Sequence, residues 1–156
     1  MSQKVMIAFD DSENALRAVE YAAKVLAKDC RVTLFSVVQD TASICDLQSP
    51  ELTPYFKSQQ DSFCLLEQKK HELLSAAQTK AKAMLVANGF PEDHIRMKTE
   101  AKKKGIARDI SAEAHMGYDL LVLGRRGLSG IKEFFMGSVS QKVLGLAQDM
   151  PILIVS

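Results

Sequence analysis

The sequence predicts an α/β fold: one doubly wound domain over residues 1–156, with a five-stranded parallel sheet and helices on both faces. Two observations predict it. Short, continuous apolar runs recur along the chain, and such runs suit strands buried on both faces. Segments with apolar residues at helical spacing separate them, and strand–helix alternation implies parallel strands joined by right-handed crossovers.

Val5 to Phe9 is the first apolar run, bounded by Lys4 and Asp10. Ser12 stands where a helix N-cap belongs, and Ala15, Ala18, Val19, Ala22, Ala23 and Leu26 follow at helical spacing, predicting a helix over 13–28. Val32 to Val38, rich in β-branched residues, is the second strand. From Gln39 to about Asp61 the periodicity fails, and Pro50 and Pro54 exclude a regular helix, so an irregular insertion is expected. Helical spacing returns from Phe63 to Val86 and stops at Asn88-Gly89. Ile95 to Thr99 reads as a weaker strand, and Ile106, Ile110 and Ala114 give a short helix ending near Gly117. Leu120 to Leu123 is a strongly apolar strand, a helix runs from about Gly137 to Ala147, and Ile152 to Val155 closes the chain after Pro151.

Composition narrows the function. Apolar residues make up 47% and charged residues 25%, the balance of an ordinary globular protein. With 20 basic and 19 acidic side chains the net charge is +1, which argues against a nucleic-acid-binding role. Cys30, Cys45 and Cys64 form no CxxC pair, and His71, His94 and His115 form no HExxH or HxH group, so neither a zinc site nor a redox motif is expected. The cysteines read as unpaired packing or surface residues. The N-terminal apolar run is too short for a signal peptide, and no run approaches the ~20 residues of a membrane span. Together these features point to a cytoplasmic protein with no membrane contact.

Two strand ends carry unusual residues. The first ends in Phe9-Asp10-Asp11-Ser12, and the fourth in Gly124-Arg125-Arg126-Gly127-Leu128-Ser129-Gly130, with Gly137-Ser138-Val139-Ser140 opening the next helix. In doubly wound sheets ligands bind beyond the carboxyl ends of strands. Glycines let backbone N–H groups approach an anion, and a helix N-terminus favours negative charge. The hydroxyls of Ser138 and Ser140 would add donors. The chain has neither GxxxxGK[ST] nor a GxGxxG after a strand, so P-loop and dinucleotide-binding readings lose their support.

Gly124, Gly127 and Gly137-Ser138 instead spell G-x2-G-x9-G-[ST], and on that pattern the chain resembles the ATP-binding members of the universal stress protein family. KVMIAFDDSENALRAVEYAAKVL resembles that family's first strand and helix, RVTLFSVV its second strand, and the block from Tyr118 to Ser156 its last third. The likeness covers the chain apart from about Gln39 to Phe63. It implies strand order 3-2-1-4-5, with Asp10 facing the Gly124 loop across the crevice. It implies further that Ala8, Phe9 and Asp10 line the adenine and ribose side, with Val37 offering backbone contacts to the ring. Gly124, Arg125, Arg126, Gly127, Leu128, Ser129 and Gly130 would wrap the ribose and phosphates. Gly137, Ser138, Val139 and Ser140 would take the phosphate tail. Arg126 stands where the family often has histidine or another polar residue, and Ala8 where some nucleotide-bound members have proline.

The resemblance thus implies ATP, ADP or AMP as ligand, with Mg2+ carried on the nucleotide and touched by Asp10, and a homodimer paired through Ile152–Val155. No general base accompanies the cradle, and Asp10 and Asp11 would point to opposite faces, so a nucleotide-responsive regulatory or stress-tolerance factor is expected rather than a dedicated enzyme. Two alternatives stand beside it. One is an ATP-dependent hydrolase or transferase of the adenine nucleotide alpha-hydrolase group, although Asp10-Asp11-Ser12-Glu13 replaces that group's SGGxDS-type loop. The other is a nucleotide-free interaction module whose glycines serve only the fold, as Lys102-Lys103-Lys104 would serve only as a solvated turn.

Overall fold

Strand β1 (Lys4–Ala8) sits at the centre of the sheet, with all of Val5, Met6 and Ile7 withdrawn from solvent. The structure, a computed structural model, describes residues 2–46, 54–125 and 137–156. Its order of elements is β1, α1 (Glu13–Val25), β2 (Arg31–Val38), α2 (Ala42–Cys45), α3 (Pro54–Ala87), a 3-10 turn at Glu92–His94, β3 (Ile95–Ala101), α4 (Ile106–Ala114), β4 (Leu120–Gly124), α5 (Ser138–Leu146) and β5 (Ile152–Val155). The five strands are parallel in the order β3-β2-β1-β4-β5, as the resemblance implies. Val5 lies between Val32 of β2 and Leu120 of β4, and the register continues through Ile7.

Alternation along β1 divides the core. Val5, Ile7 and Phe9 face one side, where they pack with Ala15, Ala18, Val19 and Ala22 of α1 and with Ala81 and Leu85 of α3. Met6 faces the other, with Ile110 and Ala114 of α4, Val143 of α5 and Leu121 and Leu123 of β4. Period-two strands buried on both faces therefore carry a separate apolar layer on each. Helix α1 starts where the sequence places its cap: Ser12 is extended, and its Oγ accepts from the Ala15 N–H at 3.2 Å.

The insertion differs from expectation. Pro54 opens α3 instead of excluding it, and the helix runs 34 residues to Ala87. Proline is tolerated in a first turn because its missing N–H would have no intrahelical partner there. A helix of that length spans about 50 Å, roughly twice the longest strand. Only its later turns reach the core; from Tyr55 to Ser62 all but Gln60 are exposed. The cysteine expectation is also corrected. Cys45 at the end of α2 is bonded to Cys64 in α3, their Cα atoms 5.8 Å apart, and only Cys30 is free. Neither CxxC spacing nor a shared element announces a pair separated by 19 residues, so sequence arithmetic misses it, and unpaired cysteines no longer support a cytoplasmic location. No helix among the described residues is long and apolar enough to cross a membrane.

The two sheet edges contrast. β3 alternates charge along its edge through Arg96, Lys98 and Glu100, and Lys98 Nζ reaches the buried Glu113 carboxylate of α4 at 2.6 Å. β5 at the other edge is Ile-Leu-Ile-Val, its first three residues half-buried. Charge protects an edge from further pairing and an apolar strand does not.

His115 closes α4 against the approach to β5. Its Nδ1 lies 2.6 Å from the Ser111 carbonyl and its Nε2 2.8 Å from Asp149 Oδ1. Both partners accept, so the protonated ring satisfies both. The hydrogen bond to Asp149 first, and the Ser111 carbonyl second, raise the His115 pKa above its ordinary 6.5. The same hydrogen bond lowers Asp149 below 3.8. A raised histidine pKa stabilises the folded state fully below the ordinary value and loses that contribution as pH climbs through the raised one. The depressed Asp149 contributes above 3.8 and loses its share as pH falls through its lowered value. We therefore expect the melting-temperature difference between wild type and His115→Gln to be largest below the ordinary histidine value, near about pH 5–6, and to shrink as pH climbs through the raised one. The effect is small because the pair is largely exposed. A difference independent of pH would contradict it.

Candidate functional site

The carboxyl ends of β1 and β4 lie side by side, and the chain leaves them in opposite senses: β1 continues into α1 on one face, β4 toward α5 on the other. Among the described residues no crossover helix fills the gap between them, which is the general origin of crevices at such reversal points. A cavity of about 330 Å³ lies there, within the range of small-ligand sites. Its floor is Ala8, Phe9 and Asp10 from β1 and its exit, with Val37 from β2. Gly124 of β4 and Gly137, Ser138, Val139 and Ser140 at the head of α5 form the opposite wall.

Each of these residues is held by the backbone around it. The Phe9 N–H donates to the Phe35 carbonyl at 2.8 Å, extending the β1–β2 ladder to the cavity's edge. Asp10 Oδ1 accepts from the Ser12 N–H at 2.9 Å, so this carboxylate shapes the turn into α1 while bordering the cavity. On the other side the Arg125 N–H donates to the Val155 carbonyl at 2.7 Å, and the Gly137 N–H to the Arg125 carbonyl at 2.8 Å. The chain thus returns to the point from which it left β4, which aims α5 at the cavity.

Helix α5 has Gly137 as its N-cap and no side-chain cap. The Gln141 N–H already bonds the Gly137 carbonyl. The N–H groups of Ser138, Val139 and Ser140 precede the first intrahelical bond, the usual state of a helix's opening turn. That end carries partial positive charge and suits an anion. The Ser138 hydroxyl is exposed and makes no hydrogen bond among the described residues. Ser140 Oγ donates to the Gly124 carbonyl at 2.7 Å. That bond joins α5 to β4 and positions the helix end, while the Ser140 N–H stays with the opening turn beside the cavity.

Sequence reasoning missed part of the wall. Ile106 and Ile110, whose four-residue spacing marked them as helix packing, also border the cavity, together with Phe35 and Leu123. The signal was present: α4 follows β3, so its first turns rise at the same carboxyl end of the sheet. Arg126, Gly127, Leu128, Ser129 and Gly130 lie outside the described residues, while Arg125 adjoins the cavity wall through its backbone bonds. No group of three or more His, Cys, Asp or Glu side chains could hold a metal among the described residues.

The walls therefore pair aromatic and aliphatic surface with uncapped N–H groups, a combination that suits a flat apolar ring bearing an anionic tail. Removing the Ser140 hydroxyl would leave the Gly124 carbonyl without this donor. Ser140→Ala is expected to cost about 1–2 kcal/mol in denaturant unfolding, with Ser138→Ala near zero. Equal costs for the two would contradict the positioning role.

Comparison with known proteins agrees with this architecture. The universal stress protein family matches residues 1–156. The chain is 31% identical to universal stress protein YxiE of Bacillus subtilis, over 99% of both chains. The structure of UspA from Lactobacillus plantarum superposes with a TM-score of 0.67 at 20% identity, covering 99% of this chain and 97% of that one. A universal stress protein in complex with cAMP gives a TM-score of 0.61 at 20% identity, covering 99% and 96%. With the parallel sheet, its strand order and the full-length match agreeing, the chain belongs to the universal stress protein family.

Proposed function

We propose that this protein is a single-domain binder of an adenine nucleotide, ATP, ADP or AMP, and acts as a nucleotide-responsive regulatory or stress-tolerance factor. The observation that carries the reading is the meeting, in one cavity, of the apolar walls of β1, β2 and α4 with the uncapped head of α5. Ala8, Phe9 and Val37 would take the adenine. Gly124 and the Gly127 loop would follow the ribose. Gly137, Ser138 and Val139 would receive the phosphates through N–H groups and the Ser138 hydroxyl. Charge-assisted hydrogen bonds of about 1.5–3 kcal/mol each bring a few such contacts to the roughly 8 kcal/mol of micromolar binding. Asp10, whose Oδ1 already holds the Ser12 N–H, would turn its other oxygen toward Mg2+ carried on the nucleotide. The related fold seen with cAMP supports an adenine ligand. The apolar β5 edge supports pairing of two copies through Ile152–Val155, in a cytoplasmic homodimer.

The test is to purify the protein without added nucleotide, denature it, and identify what is released by chromatography, alongside a Ser138→Ala, Gly127→Val variant. We expect ATP, ADP or AMP from the native protein and none from the variant. Added nucleotide at 100 times its Kd should stabilise the native protein by about 2.7 kcal/mol. Light scattering of the same preparation should read two 17.2 kDa chains. An empty protein with no thermal shift in millimolar ATP would overturn the reading. Turnover above about 1 per second would replace it with an enzyme.

A further inference from the structure

We propose that Cys45 and Cys64 form a reversible redox clasp, a dithiol–disulfide modification site that opens and closes the α2–α3 junction and leaves the sheet and its cavity intact. The placement of the bond carries the inference. Neither cysteine belongs to either core layer. The bond joins a four-residue helix to the early part of α3, upstream of Ala81 and Leu85, which anchor that helix in the core. A staple for the domain would bridge elements of the core; this one bridges two segments that stand outside it.

Helix α2 depends on that bond. A single turn of helix is not stable alone, and α2 packs chiefly against α3. Besides the disulfide, the Gln60 side-chain amide donates to the Ile44 carbonyl. Two hydrogen bonds to the Thr41 carbonyl, from Ile44 and Cys45, close the turn itself. Opening the link removes a covalent tie between α2 and α3, and these neutral hydrogen bonds are each worth little net against water. Around the junction, Ile44, Tyr55, Phe56 and Leu65 already present large apolar surface to solvent. The clasp therefore governs how that surface is arranged.

Both sulfur-bearing residues are half-buried, so a small thiol can reach them. Cys30 supplies an internal contrast: it is 1% exposed, and burial, followed by the Asp29 charge, pushes its thiol up and keeps it from forming a thiolate. The partner chemistry is a dithiol reductant. One of its thiolates attacks a sulfur of the Cys45–Cys64 bond and forms a mixed disulfide. Its second thiol then displaces the remaining protein sulfur. Two electrons and two protons pass to the protein, which gains two thiols, and the reductant leaves as a disulfide.

The experiment treats the native protein with dithiothreitol, alkylates it, and locates the modified cysteines by mass spectrometry. Amide exchange and the melting temperature are followed in the same samples. Cys45 and Cys64 should be alkylated and Cys30 spared. Exchange should accelerate by about tenfold or more in residues 42–46 and 54–62 and stay unchanged in β1, β2 and β4. Oxidised glutathione should restore the original pattern, and a Cys45→Ser, Cys64→Ser protein should show the reduced pattern without reductant. Three results would overturn the proposal: a bond reducible only in denaturant, exchange that rises through the whole sheet, or native thiols that oxidised glutathione fails to join. None depends on nucleotide binding, so this proposal and the nucleotide reading fail separately.

Discussion

The reversal of winding at β1 is the constraint on which the rest of this structure depends. A strand flanked by parallel neighbours must be apolar on both faces, and Val5, Met6 and Ile7 meet that demand from one short run. Because the chain leaves β1 for one face and β4 for the other, two apolar layers form and a gap remains where they part. The cavity is thus a consequence of topology before it is a consequence of any side chain. The bond between the Gly137 N–H and the Arg125 carbonyl then brings the head of α5 to that gap.

Much of this was legible in the sequence for physical reasons. Continuous apolar runs marked the buried strands, because a parallel sheet covered on both faces tolerates little else. Ser12 announced the start of α1, since a hydroxyl at an N-cap satisfies an otherwise orphaned N–H. Ala8, Phe9, Asp10, Val37, Gly124 and Gly137 through Ser140 meet at one cavity: periodicity locates the strand ends and helix starts, while the strand order that makes those ends neighbours is what the family resemblance implies.

What the sequence hid has equally plain causes. Pro54 reads as a helix breaker only where an N–H is needed, and at the start of α3 none is. The Cys45–Cys64 bond joins segments that share neither a strand register nor an amphipathic face, so no periodicity brings them together. Ile110 serves the core and the cavity at once, while Ile106 borders the cavity from the exposed start of α4, and helical spacing reports only packing. The bond from the Ser140 hydroxyl to the Gly124 carbonyl is likewise invisible, because residues 16 apart share no local periodicity.

The central claim is that the crevice between β1, β4 and α5 takes an adenine nucleotide, and residue-resolved titration of the 15N-labelled protein with ATP tests it most directly. The account predicts saturable shifts in the backbone amides of Phe9, Asp10, Val37, Gly124, Ser138 and Val139, with α3 and β3 silent. Amides that do not move at millimolar ATP, or that move instead on a face remote from Gly124 and Ser138, would contradict it.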